Sequence, residues 1–275
     1  QGKYGEAEPL YERSQAIREK VLDPEHPDVA TSLNNRAELL KHQGKYEKAE
    51  PLCERSQAIR ENVLGPEHPD VATSLNNRAG LLQTKGKYVE AEQLYERSQA
   101  KRKKVLGPEH PDVATSLNNR ARLLESQGKL SEAEPLYKST QEIFEKSLGQ
   151  DHPNVATILN NRAGLLESQG KYDEARPLCD RSLAIYEKAL GPDHPAVAST
   201  LNIRAGLLYA QENYTEVIPL MERALAILRR SLGKTTQTRS SLGTTWKLCG
   251  KRFVQSWAVV QDSCTTHYAK AWHCS

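Results

Sequence analysis

No apolar run in the sequence approaches the roughly 18 residues that a membrane-spanning helix needs, and no charged segment followed by an apolar one opens it. Neither a membrane span nor a signal peptide is therefore expected. The formal net charge is only +3 with 27% charged residues, and no acidic or basic tail is present. A field that weak gives no argument for nucleic acid as partner. The five cysteines are odd in number and unevenly placed: Cys53 and Cys179 stand apart, and Cys249, Cys264 and Cys274 crowd into the end of the chain. That is not a disulfide framework. A nucleophile elbow, a glycine-rich phosphate loop and a zinc-hydrolase helix are all missing as well. These absences lead us to expect a soluble, cytoplasmic protein that is not an enzyme and uses no cofactor or metal.

What the sequence has in abundance is itself. His26, His68, His110, His152 and His194 follow one another at steps of 42 residues, and Gly44, Gly86, Gly128 and Gly170 keep the same step. A self-similar period of roughly 20–50 residues points to a solenoid, in which each unit contacts only its neighbours. The complete units run over about 23–64, 65–106, 107–148, 149–190 and 191–232, and residues 1–22 match only the second half of a unit.

Each unit contains two helical stripes. Val29, Leu33, Ala37 and Leu40 are spaced for one face of a helix, A, over about 28–42. Pro27 suits its first position, where the missing N–H costs nothing, and Gly44 ends it in a left-handed turn. A second helix, B, over about 46–63 carries Tyr46, Ala49, Cys53, Ser56, Ile59 and Val63 on one side. The short turn between them predicts an antiparallel hairpin. The fold class expected is an all-α solenoid of eleven helices: five hairpins preceded by one B helix. The helix over 4–22 should show an uncovered apolar side, a surface for self-association.

Comparison between copies sorts packing from function. The slot of Cys53 is filled by Tyr11, Tyr95, Tyr137, Cys179 and Met221, which share bulk and apolar character but no chemistry. The histidines lie one per turn, too far apart to share an ion, and read as helix caps. The run Lys101–Lys104 reads as a solvated helix end.

Mid-helix A repeats a different pattern: Asn34-Asn35-Arg36, Asn76-Asn77-Arg78, Asn118-Asn119-Arg120, Asn160-Asn161-Arg162 and Asn202-Ile203-Arg204. Amides there are poor helix formers and add nothing to an apolar core. They can form a ladder that bonds to an extended peptide while the arginines meet its carboxylates. They can equally bond to the loops between units, with the arginines paired to glutamates of helix B. The slot three residues after the second Asn varies: Glu38, Gly80, Arg122, Gly164 and Gly206.

The pattern fails after Leu232. Continued, it would read Asp-His-Pro-Asp at 235–238, but Thr-Thr-Gln-Thr stands there, which is what those codons give when read one nucleotide late. Thr-Thr-Trp at 244–246 answers the expected Asn-Asn-Leu in the same way. The tail, 233–275, is therefore expected to be out of frame and poorly folded, and its Cys264, His267, His273 and Cys274 are not read as a metal site. Loss of a following unit would leave Leu220, Leu225 and Leu228 as candidates for exposed apolar surface.

HPDVATSLNNRAGLL followed by GKYVEAEQLYERSQA resembles the tetratricopeptide repeats of kinesin light chains and their relatives in multi-repeat signalling proteins. The resemblance covers residues 1–232. It implies a right-handed superhelix whose concave groove, lined by A helices, takes short and often acidic peptides. In the motor proteins these belong to cargo adaptors. Carried over by motif position, Asn34, Asn35, Asn76, Asn77, Asn118, Asn119, Asn160, Asn161 and Asn202 would contact the peptide, with Arg122 as the copy-specific cation. The sequence departs from the family where arginine replaces the leucine of LNNLA in all five units, a side chain that must reach out or find an acid. No heptad coiled coil, the element by which a light chain dimerises, precedes the repeats within the given residues, so a light-chain role is expected to need an upstream part that supplies it. The preferred function is a protein-interaction scaffold. The alternatives are a kinesin light chain-type cargo-binding subunit and the recognition arm of a multidomain receptor.

Overall fold

The structure is a computed structural model that describes residues 4–232. The expected out-of-frame tail lies outside the described residues. Eleven helices follow one another: α1 (Tyr4–Val21), α2 (Pro27–His42), α3 (Tyr46–Leu64), α4 (Pro69–Thr84), α5 (Tyr88–Leu106), α6 (Pro111–Ser126), α7 (Leu130–Leu148), α8 (Pro153–Ser168), α9 (Tyr172–Leu190), α10 (Pro195–Ala210) and α11 (Tyr214–Leu232). The architecture is an all-α solenoid of antiparallel helix pairs. The chain divides into two compact units within α9, one over Gly2–Ile185 and one from Tyr186 onward.

Every A helix starts the same way. The Nδ1 atoms of His26, His68, His110, His152 and His194 accept hydrogen bonds from the backbone N–H two residues on, at 3.1–3.2 Å. This satisfies one of the donors that a helix start leaves open, and each histidine is followed by proline at the first helical position. The A helix then ends in a Schellman turn. Gly44 takes φ +76°, and the N–H of Lys45 donates to the carbonyl of Leu40 at 2.9 Å. The last hairpin keeps this geometry without the glycine. Glu212 holds φ +62° there, the one non-glycine residue at positive φ among the described residues.

In the first unit, the hairpin cores are not closed by their own two helices. Ala37 and Leu40 of α2 pack with Ala49 and Cys53 of α3, and Leu81 of α4 completes the cluster. Leu123 of α6 enters the α4–α5 core, and Leu165 of α8 enters the α6–α7 core, in the same way. Small residues allow the close approach. The Ser56 hydroxyl donates to Ala30 O at 2.8 Å, and Ser98 and Ser182 repeat the bond to Ala72 and Ala156. Cys53 is buried, and burial pushes its thiol up to about 11, as packing and not reactivity requires. In the same unit, Leu10, Ile17 and Val21 of α1 are exposed.

In the second unit, Ala205 and Leu208 of α10 pack on Val217 of α11, with Tyr209, Leu220 and Met221 at the margin. Leu220, Leu225 and Leu228 are half-buried, not exposed, and Leu220 packs at the margin of this hairpin core. The large apolar residue of α11 that is exposed is Ile218.

The run Lys101–Lys104 is not a plain solvated end, because Arg102 points inward and is only 6% exposed. Its guanidinium donates to Asp112 O at 3.1 Å, Ser116 Oγ at 2.9 Å and Thr73 Oγ1 at 3.2 Å, so it joins α5 to both flanking A helices. Arg60 makes the same three bonds to Asp70 O, Ser74 and Thr31. Desolvation lowers the pKa of both arginines, opposed by the charge of Asp70 or Asp112. One interface further on, the two slots hold Phe144 and Ile158, and both are buried. At this interface an apolar pair stands where the polar clasp stands one interface earlier.

Three outcomes follow from these contacts, all readable in urea unfolding. His152→Ala, which removes the cap of a helix with no acidic residue in its first turn, costs about 1 kcal/mol, and His152→Asn restores most of it. Glu212→Gly stabilises by about 1 kcal/mol by relieving the left-handed backbone. Arg102→Met costs about 1–3 kcal/mol by stranding its buried acceptors, whereas Arg102→Phe combined with Ser116→Ile recovers most of the loss.

Candidate functional site

The A helices of the first unit lie side by side, α2 against α4 and α4 against α6. Helical spacing places Asn77, Gly80 and Thr84 on one stripe of α4, Asn119, Arg122 and Ser126 on the matching stripe of α6, and Asn161, Gly164 and Ser168 on that of α8. All the candidate residues except Asn202 belong to this unit; Asn202 lies half-buried on α10 of the second.

The arginines of the Asn-Asn-Arg pattern are internal. Arg36 donates to Glu12 at 2.6 Å and to Gln15 at 3.1 Å on the preceding B helix. Arg78 reaches Glu54 and Gln57, Arg120 reaches Glu96 and Gln99, and Arg162 reaches Gln141. For Arg36, Arg78 and Arg120 the structure shows the other reading, in which they pair with helix B: an acid 24 residues earlier in the chain matches each charge and accounts for the departure from LNNLA there. The position 24 residues before Arg162 is Lys138, and Arg162 bonds to the neutral Gln141 instead.

The amides divide into three groups. Asn34 and Asn160 are buried, and Asn34 Nδ2 donates to Ser74 Oγ at 3.2 Å. Asn76, Asn118, Asn119 and Asn161 bond to one another across helices: Asn161 Nδ2 to Asn118 Oδ1 at 2.8 Å, Asn118 Nδ2 to Asn119 Oδ1 at 3.4 Å, and Asn119 Nδ2 to Asn76 Oδ1 at 2.9 Å. This directional chain ties α8, α6 and α4 together. Asn35, exposed, and Asn77, half-buried, make no side-chain bond among the described residues and keep their full capacity.

Charge on this face is sparse once pairs are removed. Glu38 is matched by Lys41 at 2.6 Å and faces His42 at 3.2 Å. Arg122 is exposed, and its guanidinium has no ion pair or hydrogen bond among the described residues. It borders a cleft of about 550 Å³ lined by Gln83, Glu125, Ser126, Leu130 and Ser168. The glycines at its slot in the neighbouring units keep the surroundings open. A Cβ on Gly164 would meet nothing within 4 Å, and one on Gly80 would sit 3.4 Å from the Tyr95 hydroxyl.

Two tyrosines that the sequence reads as packing also serve this face. Tyr95 donates to Gln83 Oε1 at 3.2 Å and Tyr137 to Glu125 Oε2 at 2.8 Å. Burial pushes the Tyr95 hydroxyl up to about 12, and burial with the Glu125 charge drives Tyr137 upward too. Their rings fill the core slot while their hydroxyls hold cleft residues in place. The available sequence signal was the Tyr–Cys alternation at that slot, since cysteine supplies the bulk without the reach. Among the described residues no group of three His, Cys, Asp or Glu side chains could hold a metal ion, and no helix is long and apolar enough to cross a membrane.

A family model for the tetratricopeptide repeat matches residues 1–49, 28–103, 70–146, 126–172 and 154–230. The chain belongs to the tetratricopeptide repeat family. Its fold is similar to that of BtubC (BKLC) from P. vanneervenii, at 23% identity and TM-score 0.69 over 86% of this chain and 94% of that one. It is also similar to a kinesin light chain candidate of Podosopora anserina with nearly identical TPR-like repeats, at 28% identity and TM-score 0.61 over 75% of this chain and 98% of that one. A Rap protein complexed with competence and sporulation factor shares the fold at 16% identity and TM-score 0.59, over 83% of this chain and 70% of that one. A search of curated proteins returns no match.

Proposed function

We propose that the chain is a non-catalytic interaction scaffold that holds an extended, acidic peptide across the A-helix face of α2, α4, α6 and α8. The observation that carries this reading is the unspent bonding capacity on that face. Asn35 and Asn77 have open amides, and Arg122 stands as an unmatched cation among glycines. An extended peptide leaves its backbone N–H and C=O groups unpaired, and an amide that donates and accepts suits both. The inter-helix chain from Asn161 to Asn76 holds the face rigid, which lowers the ordering cost of binding. The reading goes with a cytoplasmic location.

A narrower role as a kinesin light chain-type cargo-binding subunit is favoured by the 28% identity to the Podosopora anserina repeats. The two roles share the same groove and differ in what else is attached to it.

The test is a peptide-array screen followed by titration of the best binders. The combined Asn35→Ala and Asn77→Ala variant is expected to weaken binding about tenfold with unfolding unchanged, through loss of its hydrogen bonds to the peptide backbone. Asn34→Ala is expected to act on stability through its bond to Ser74. Binding unaffected by the double change would defeat the groove assignment.

A further inference from the structure

We infer that α11 pairs with the α11 of a second copy of this chain, antiparallel and about a two-fold axis, on a surface separate from the A-helix face. Along α11, Tyr214, Ile218, Met221, Leu225 and Leu228 follow one another at steps of 4, 3, 4 and 3, the spacing of a helix–helix seam. Ile218 is exposed and the other four are half-buried, so each keeps surface to bury. On α3 the same five slots hold Tyr46, Glu50, Cys53, Gln57 and Arg60. There the polar three grip the following hairpin: Glu50 accepts from Lys85 at 2.6 Å, Gln57 accepts from Arg78 at 3.2 Å, and Arg60 donates to Ser74 at 2.9 Å. A fourth group, Glu61, faces Arg97 at 3.9 Å, and Arg229 stands at its slot on α11. All four grips are therefore gone from α11. A further hairpin of this kind would find no acceptors for its basic side chains there and would meet an arginine instead.

The stripe fits its own copy. In the first compact unit a leucine from the helix beyond closes each hairpin core, but among the described residues the core beside Met221 receives none. In an antiparallel pair with Leu225 at the axis, Met221 lies opposite Leu228 of the second copy, which supplies that leucine. Charge fixes the orientation. Glu222 and Arg229 flank the seam on one side, both exposed, with no ion pair or hydrogen bond among the described residues. Seven residues separate them, about 10 Å along the helix, so they do not pair within it. The antiparallel arrangement sets each Glu222 opposite the other copy's Arg229, twice by symmetry. A parallel pair would set them beside Val217 and Ala224, which are apolar and buried against α10. An unrelated apolar helix could fill the seam, but the reciprocal acid and base match a second copy.

The test is sedimentation of the whole chain over a range of concentrations. One helix from each side is a small interface, so a reversible monomer–dimer equilibrium is expected. Glu222→Arg and Arg229→Glu, each alone, are expected to weaken the dimer about tenfold by opposing like charges at two places, and the two together restore it. Melting stays unchanged because both side chains are exposed. Leu225→Arg, at the axis, abolishes the dimer. Ile17→Glu, on the exposed face of α1, leaves it intact. A chain that sediments as a monomer throughout overturns the inference, since the stripe then belongs to other residues of this chain or to a different protein. A dimer indifferent to the charge changes overturns it too, as does one that the double change fails to restore or that Ile17→Glu removes.

Discussion

A hairpin of two amphipathic helices cannot bury both sides of its second helix, and the leucine that each following A helix inserts supplies the missing cover. Leu81, Leu123 and Leu165 occupy the same slot in successive units of the first compact unit and complete the core of the hairpin before them. The consequence is a chain of nearest-neighbour interfaces in which no hairpin there is an independent fold. It also explains the strict 42-residue step. An insertion of one residue would turn that leucine out of the preceding core and misplace the histidine cap and the glycine turn along with it.

The same constraint governs what the surface can do. In the first compact unit α2, α4 and α6 are each covered by their own B helix, the B helix before them and a neighbouring A helix, so most of their polar groups are spent on holding the repeats together. Arg36, Arg78 and Arg120 pair backward to the preceding B helix, Asn34 is buried against Ser74, and four other amides bond across helices. What is left for a partner is the small remainder at Asn35, Asn77 and Arg122. The paired Phe144 and Ile158, standing where Arg102 and Ser116 stand one interface earlier, show the same economy from the inside.

The fold was legible because period, proline, histidine and glycine all mark the same boundaries, so helix ends fall within a residue or two of their sequence expectation. The resemblance to tetratricopeptide repeats pointed to the same architecture. The site was legible as a row of slots but not as a set of available atoms. An Asn-Asn pair looks identical in Asn34-Asn35 and Asn118-Asn119, yet one amide of the first pair is exposed while both of the second are engaged. Side-chain choice between neighbours decides this, and no spacing encodes it. Arg102 was missed although the sequence marks it. Within a run of four basic residues the buried one is marked by the register, which puts Arg18 and Arg60 at the same slot in the preceding copies, and by Ser116 and Thr73 in two other helices.

The central claim is that recognition uses the unspent groups of the A-helix face and leaves the spent ones untouched. The most direct measurement is a nitrogen-resolved NMR titration of the whole chain with an acidic peptide that binds it, following side-chain signals. The account predicts that the Asn35 and Asn77 amides and the Arg122 guanidinium shift on binding while Arg36, Arg78 and Arg120 stay still. Shifts confined to those paired arginines, or to α1, would contradict it.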